Sequence, residues 1–280
     1  VPIFILGDPF PQSALEAGAD VVVHSAHKTL PAMTMGSYLH VNGKLANANR
    51  IGHYLSILQS SSPSYPIMAS LDLARAYLEG LISAKAVDSI SDAINSFENT
   101  IMEIDELCIV RSKDRKASTD PLKLTIKSNI GMTGFELQSH LEASGIYTEL
   151  ADLQNVLLVL PLTSKMAPEF GYTTIKGTFG GKNELNPLLF QTGTRPISMP
   201  LSYYQLNGYS REVVSFKDAA GLLSGDAVIP YPPGIPLLME GERITKEHIS
   251  QIQVLIQGGA RFQGSSALSE EKLAVYIKKR

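Results

Sequence analysis

One cysteine, Cys108, stands among 280 residues. An intrachain disulfide is therefore excluded, and the usage fits a reducing cytosol with Cys108 as a buried thiol. Long apolar runs are missing too: none approaches the ~20 residues that a membrane-spanning helix needs. There is no basic-then-apolar leader, so nothing points to secretion and the expected localisation is cytoplasmic. A marked excess of either sign of charge is missing as well. The net charge of −3 gives no electrostatic case for nucleic acid or an anionic membrane as partner. No fixed-period repeat, no low-complexity tract and no metal-ligand spacing is found. Apolar residues, by contrast, make up 44% of the chain, enough for a real core in two or three domains.

The organising stretch is Val21-Val22-Val23-His24-Ser25-Ala26-His27-Lys28-Thr29-Leu30-Pro31. Three β-branched residues without polar alternation read as a strand buried on both faces of a parallel sheet. Polar residues then crowd between His24 and Lys28. A lysine where such a strand ends lies at the carboxyl edge of the sheet, where α/β proteins bind ligands. Near apolar walls its charged form is disfavoured, and a neutral amine attacks an aldehyde to form a Schiff base. Ser25, Thr29 and His27 are placed to orient an anion or a ring over that amine. The competing reading makes Lys28 a solvated loop residue and His24 and His27 ordinary loop histidines.

Ser25-Ala26-His27-Lys28 resembles the Ser-x-His-Lys signature of aspartate-aminotransferase-type (fold type I) enzymes that use pyridoxal phosphate. The longer run from Ala19 through Lys28-Thr29-Leu30-Pro31-Ala32-Met33-Thr34-Met35-Gly36 to Ser37 is similar to the ornithine/lysine/arginine decarboxylase family, especially its shorter Gram-positive members. The resemblance implies that Lys28 carries pyridoxal 5'-phosphate, that Ser25 and His27 hold its phosphate or neighbouring atoms, and that Lys28 or His27 returns the proton after loss of carbon dioxide. The loop Gln59-Ser60-Ser61-Ser62-Pro63-Ser64-Tyr65-Pro66 reads as a rigid, hydroxyl-rich linker. It also resembles the family's Ser/Thr-Ser-Pro-x-Tyr segment, which implies that Ser60, Ser61 and Ser62 approach the cofactor phosphate of a partner subunit. A shared site of that kind implies a homodimer.

The resemblance also exposes a difference. Val1-Pro2-Ile3 runs directly into Phe4, where the family has an Asp-Glu-Ala-His-Gly segment whose carboxylate pairs with the pyridinium nitrogen. The chain thus reads as the C-terminal part of a longer enzyme. Asp8, the nearest carboxylate, reads as a turn residue before Pro9.

Ser13, Glu16 and Gly18 mark a short capped helix over residues 13–18. Residues 35–41 alternate as a strand, and Asn42-Gly43 signals a turn; the resemblance to fold type I enzymes implies that this strand returns, hairpin-like, beside the lysine loop. Residues 49–59 and 67–81 have helical period. So does the apolar stripe Val87, Ile90, Ala93, Ile94, Phe97, Ile101, Ile104 and Leu107. Residues 112–120 read as a loop and 122–127 as a half-exposed antiparallel strand. Thr133 and Glu136 form a capping box for a helix over 133–144, and 156–161 is a further strand. Residues 178–194, rich in Gly, Asn and Gln, read as a flexible linker, because Gly177-Thr178-Phe179-Gly180-Gly181-Lys182 lacks the spacing of a phosphate loop. The segment Gly145-Ile146-Tyr147-Thr148-Glu149 resembles the family's Gly-Ile-x-x-Glu, with Glu149 either structural or a substrate contact. Tyr231-Pro232-Pro233-Gly234-Ile235-Pro236 resembles a motif of the family's C-terminal domain. Glu242 beyond it meets a cationic substrate or is a turn acid, and a helix follows over 245–257.

The expected fold is α/β: the C-terminal part of a pyridoxal-phosphate-dependent, aspartate-aminotransferase-like (fold type I) large domain over residues 1–82, followed by smaller α+β domains, a small one over 83–190 and, as the resemblance implies, the Orn/Lys/Arg decarboxylase C-terminal domain over 191–280. The expected function is decarboxylation of a basic amino acid (arginine, lysine or ornithine) to a polyamine-type amine. The alternatives are another fold type I enzyme, an aminotransferase or lyase, and a non-catalytic relative.

Overall fold

The computed structural model of the chain describes residues 7–112, 114, 118–165, 199–231, 234–264 and 267–279. The expectations for Val1 to Leu6, for the linker 178–194 and for Pro232 and Pro233 lie outside the described residues. The chain divides into two compact units, residues 1–126 with 157–176, and 127–156 with 177–280.

In the first unit, β1 (Val21–Ser25) pairs antiparallel with β2 (Ser37–Val41), His24 lying opposite Tyr38 and Val22 opposite His40. The hairpin-like return is therefore present, whereas among the described residues β1 has no parallel neighbour. Val22 and His24 are buried, while Val21 and Val23 are 41% and 66% exposed. A two-stranded antiparallel ladder has two faces, and here only one is covered. Three valines in a row fit either arrangement; the sequence pattern alone does not separate them.

The capping box at Ser13 forms, with the Ser13 N–H donating to Glu16 and the Glu16 N–H to Ser13 Oγ. It caps a single turn rather than a helix, closed by the Ala17 N–H on Ser13 O and by Gly18 at φ 89°. Asp8 lies in a turn closed by the Phe10 N–H on Gly7 O, as expected. Asn42 and Gly43 bend the chain back onto Asp20, whose main-chain oxygen accepts both of their N–H groups. Gly43 is required there, because a Cβ would stand 1.5 Å from the Asp20 carboxylate.

Three helices follow: α1 (Ala48–Leu58), α2 (Tyr65–Ser83) and α3 (Val87–Met102). The α3 stripe buries Ile90, Ile94, Phe97 and Ile101, and the helix packs on β3 (Leu107–Ile109). By contrast α2 buries only Ala74, and α1 buries no residue at all. Cys108 is half-buried rather than buried, since it lies on the less covered face of the short β3.

A four-stranded sheet has the order β3, β4 (Lys123–Ser128), β6 (Asn155–Val159), β5 (Leu150–Ala151). The unit boundary falls within β4 and within β6. The alternation expected over 122–127 holds: Leu122, Leu124 and Ile126 are buried.

In the second unit, α4 (Gly134–Ala143) starts from a complete capping box between Thr133 and Glu136. Farther along come α5 (Tyr203–Leu206), β7 (Tyr209–Ser215), α6 (Phe216–Ala219), β8 (Leu223–Ser224), β9 (Ile229–Tyr231), α7 (Lys246–Gln257), β10 (Arg261–Gln263) and β11 (Lys272–Lys278). Strand β11 lies between β7 and β8, and β9 pairs with β10. Phe216, Val228, Leu238, Ile244, Ile252, Leu268, Leu273 and Val275 form one buried cluster beneath this sheet. Helix α7 matches the expected span and is capped by Thr245.

Candidate active site

Strand β1 ends at Ser25, and residues Ala26–Lys28 form one 3₁₀ turn. The turn is anchored by Ala26, fully buried, whose N–H donates to Gly36 O at 3.1 Å while its own carbonyl accepts from Leu30 at 2.8 Å. Lys28 thereby lies at the end of a short, pinned arch. Its side chain is exposed, and its main-chain carbonyl accepts a hydrogen bond from Lys123 Nζ at 3.1 Å.

Helix α2 secures the rest of the loop. Tyr38 Oη donates to Leu71 O at 2.6 Å, and the Met33 N–H donates to Ser70 Oγ at 3.2 Å. A Cβ on Gly36 would stand 2.8 Å from Leu71 Cδ2, so glycine is what lets loop and helix approach. Met35, just before it, holds φ 79° and is 82% exposed. A non-glycine residue in the left-handed region is strained, and this one lies in the loop that carries Lys28.

Beside the arch opens a cavity of about 510 Å³. His27, Lys28, Thr29, Leu30 and Pro31 form one wall; Tyr77 and residues 159–163 form the other. Tyr77 Oη donates to Leu162 O at 2.6 Å, tying α2 to the segment after β6. The walls are mainly apolar, with Lys28 at the rim.

Three histidines of this hairpin and turn carry buried ring nitrogens. His24 is 2% exposed, and neither of its ring nitrogens has a hydrogen-bond partner. Its ring meets that of His40 edge-on, centroids 4.9 Å apart. His40 Nε2 and His27 Nδ1 are also buried without partners. Burial, followed by the neighbouring His40, holds the His24 imidazole below its ordinary value, so it is neutral at pH 7.

Ser25, His27 and Lys28 are thus contiguous, with His27 and Lys28 lining the cavity and Ser25 on the exposed side of the arch. Ser60, Ser61 and Ser62 are exposed and are not among the residues that line it. Ser60 Oγ accepts from the Ser62 N–H at 3.1 Å and donates to Ser62 O at 3.3 Å, a local serine turn. Glu242 accepts from the Met239 N–H at 2.9 Å and so closes its own turn. Tyr77 and Lys123 were not singled out from sequence. Tyr77 reads as one more residue of a helix and Lys123 as the exposed half of an alternating strand, and neither pattern marks a wall or a tether.

Sequence comparison adds to this geometry. The model of the family described as Orn/Lys/Arg decarboxylase, major domain, matches residues 1–168. That of the Orn/Lys/Arg decarboxylase, C-terminal domain, matches residues 188–267. The chain belongs to the Orn/Lys/Arg decarboxylase family. Among members of this family it is 46% identical, over 98% of its length, to the uncharacterised protein YaaO of Bacillus subtilis, and covers 58% of that protein. It is 33% identical, over 92% of its length, to the arginine decarboxylase of Bacillus subtilis, and covers 54% of it. The chain therefore spans a little over half the length of these relatives. Among solved structures, the lysine decarboxylase of Francisella novicida superposes with a TM-score of 0.63 at 18% identity, over 92% of this chain and 49% of that one. That likeness supports the mixed α/β fold. No helix among the described residues is long and apolar enough to cross a membrane.

Proposed function

We propose that the chain supplies the lysine-bearing part of a fold type I, pyridoxal-phosphate-dependent decarboxylase acting on arginine, lysine or ornithine. The observation that carries this is Lys28 on its pinned arch, at the rim of an apolar cavity, with His27 beside it. Family membership supports the class of reaction.

The residues fit two of three parts of the cofactor. Lys28 is a primary amine within reach of solvent, suited to an aldehyde. Ser25 Oγ and His27, with a buried and unpartnered Nδ1, are donors suited to a phosphate. The third part, a carboxylate for the ring nitrogen, is not matched among the described residues, none of those lining the cavity being acidic. When bound, the cofactor supplies the electron sink for cleavage of the carbon–carbon bond. Lys28 then anchors, His27 positions, and the walls of Leu30, Pro31, Leu160 and Leu162 keep water from the scissile bond. Lys28 Nζ and the His27 imidazole are the two groups able to hold the proton that replaces the carboxyl group.

On the same reading residues 1–82 complete the large domain, and Ser60, Ser61 and Ser62 serve the phosphate site of a second copy in a homodimer. A second reading is cofactor capture without turnover, in keeping with described lining residues that include no acid.

Two measurements test the proposal. After incubation with pyridoxal phosphate and reduction with borohydride, peptide mass spectrometry is expected to find the pyridoxyl group on Lys28 and to lose it in Lys28→Ala. Release of labelled carbon dioxide from carboxyl-labelled arginine, lysine or ornithine is expected from the unmodified chain. Labelling elsewhere, or none, overturns the assignment of Lys28; labelling without release selects the second reading.

A further inference from the structure

The second unit holds its own open cavity, of about 490 Å³, remote in sequence from Lys28 and with a different chemistry. In the β7–β11 ladder Arg211 lies opposite Tyr276, and Tyr209 lies opposite Lys278. Residues opposite one another, or two apart on one strand, share a face. Tyr209, Arg211 and Tyr276 therefore stand together on the sheet face turned away from Leu273 and Val275, which are buried in the core. The rings of Tyr209 and Tyr276 meet edge-on at 6.5 Å. Tyr203 of α5, Glu240 and Lys279 complete the lining.

The charges at this cavity are individually held but not spent. Tyr276 Oη donates to Glu240 Oε1 at 2.5 Å. That hydrogen bond, with burial, raises Tyr276 above its ordinary value, so the phenol stays the donor in it. No described residue donates to Glu240 Oε2. Arg211 is paired with Asp226. Lys279 Nζ donates one hydrogen bond, to Asn207 O at 3.0 Å, leaving two N–H groups of its ammonium for a ligand. One cavity is thus lined by a carboxylate held through one oxygen, an exposed ammonium held through one hydrogen bond, and three tyrosines.

We propose that this cavity binds the zwitterionic head of a free α-amino acid, its ammonium on Glu240 Oε2 and its carboxylate on Lys279 Nζ, with the side chain against the rings of Tyr203 and Tyr209. A simple amine leaves Lys279 unanswered, and a simple acid leaves Glu240 unanswered. The tyrosine faces suit an aliphatic stem or a cationic tip. The site is separate from the Lys28 cavity and does not depend on the decarboxylase reading.

The test uses the full chain carrying Lys28→Ala, which has no amine for capture at the first cavity. Isothermal titration with L-arginine is expected to give one site per chain. Agmatine, which lacks the carboxylate, and Nα-acetyl-L-arginine, which lacks the ammonium, are each expected to bind at least about tenfold more weakly. Glu240→Gln and Lys279→Met are expected to lose L-arginine to the same degree, and Lys279→Arg to retain it, with unchanged far-UV circular dichroism as the check on folding. Absence of heat with L-arginine, equal binding of agmatine, or full binding by folded Glu240→Gln overturns the site. Decarboxylation is not read in this experiment, so its failure and that of the Lys28 assignment are told apart.

Discussion

The imidazole of His24 packs edge-on against that of His40 across the β1–β2 hairpin, their centroids 4.9 Å apart, on the covered face of the ladder. Neither His24 nitrogen is paired, and burial keeps the ring neutral. In the unfolded chain a histidine titrates near pH 6.5. The folded value is lower, so between the two only the unfolded state takes the proton, and acid favours unfolding. The contribution is fully present above about pH 6.5 and is lost as the pH falls through the folded value. The urea midpoint is expected to drop between about pH 7.5 and pH 5.5, and His24→Gln is expected to shrink that drop. An equal drop in the variant would place the acid sensitivity elsewhere.

Tyr77 ties α2 to the chain after β6 through Leu162 O. Tyr77→Phe keeps the ring and removes the donor. A loss of about 0.5–1.5 kcal/mol in stability is expected by denaturant titration. A lower yield of borohydride-fixed cofactor should accompany it, since the same side chain walls the cavity beside Lys28.

Thr133 and Gly134 differ in how they begin α4. Thr133→Ala removes a capping box and is expected to cost about 1 kcal/mol. Gly134→Ala sets a Cβ 2.3 Å from the carbonyl oxygens of Asp152 and Asn155, which are backbone and do not swing away. It is expected to destabilise more than Thr133→Ala, by about 1–3 kcal/mol or beyond. Paired thermal melts check the order, and the reverse order would mean that the loop at Asp152 yields freely.

Leu238 is fully buried in the cluster beneath the β7–β11–β8 sheet. Leu238→Ala is expected to cost about 2–5 kcal/mol. Because that cluster belongs to the second unit, near-UV circular dichroism from its tyrosines should report the loss.

The parts of this fold written in local chemistry were legible in the sequence. The capping box at Thr133 and Glu136, the α3 stripe and the alternation through Leu122, Leu124 and Ile126 each depend on neighbours a few residues away. The Lys28 arch was legible through a motif whose spacing is itself local. What depends on distant partners was not. Val21 and Val23 read as buried because β-branched runs usually are, whereas burial depends on what covers a strand. Tyr77 and Lys123 gain their places only from Leu162 and Lys28, residues 85 and 95 positions away. The pairing of Glu240 with Tyr276 spans 36 positions and has no signature along the chain.

Helix α1 fully buries none of its residues, and Tyr54, Leu55, Ile57 and Leu58 are all exposed. An isolated helix of this length is marginal, so its amide protons should trade for deuterium almost as fast as those of a free peptide. At fixed pH and temperature, slower trade on adding another protein or more of this chain would report, without a tag or an assay of turnover, that a second surface has settled on this segment.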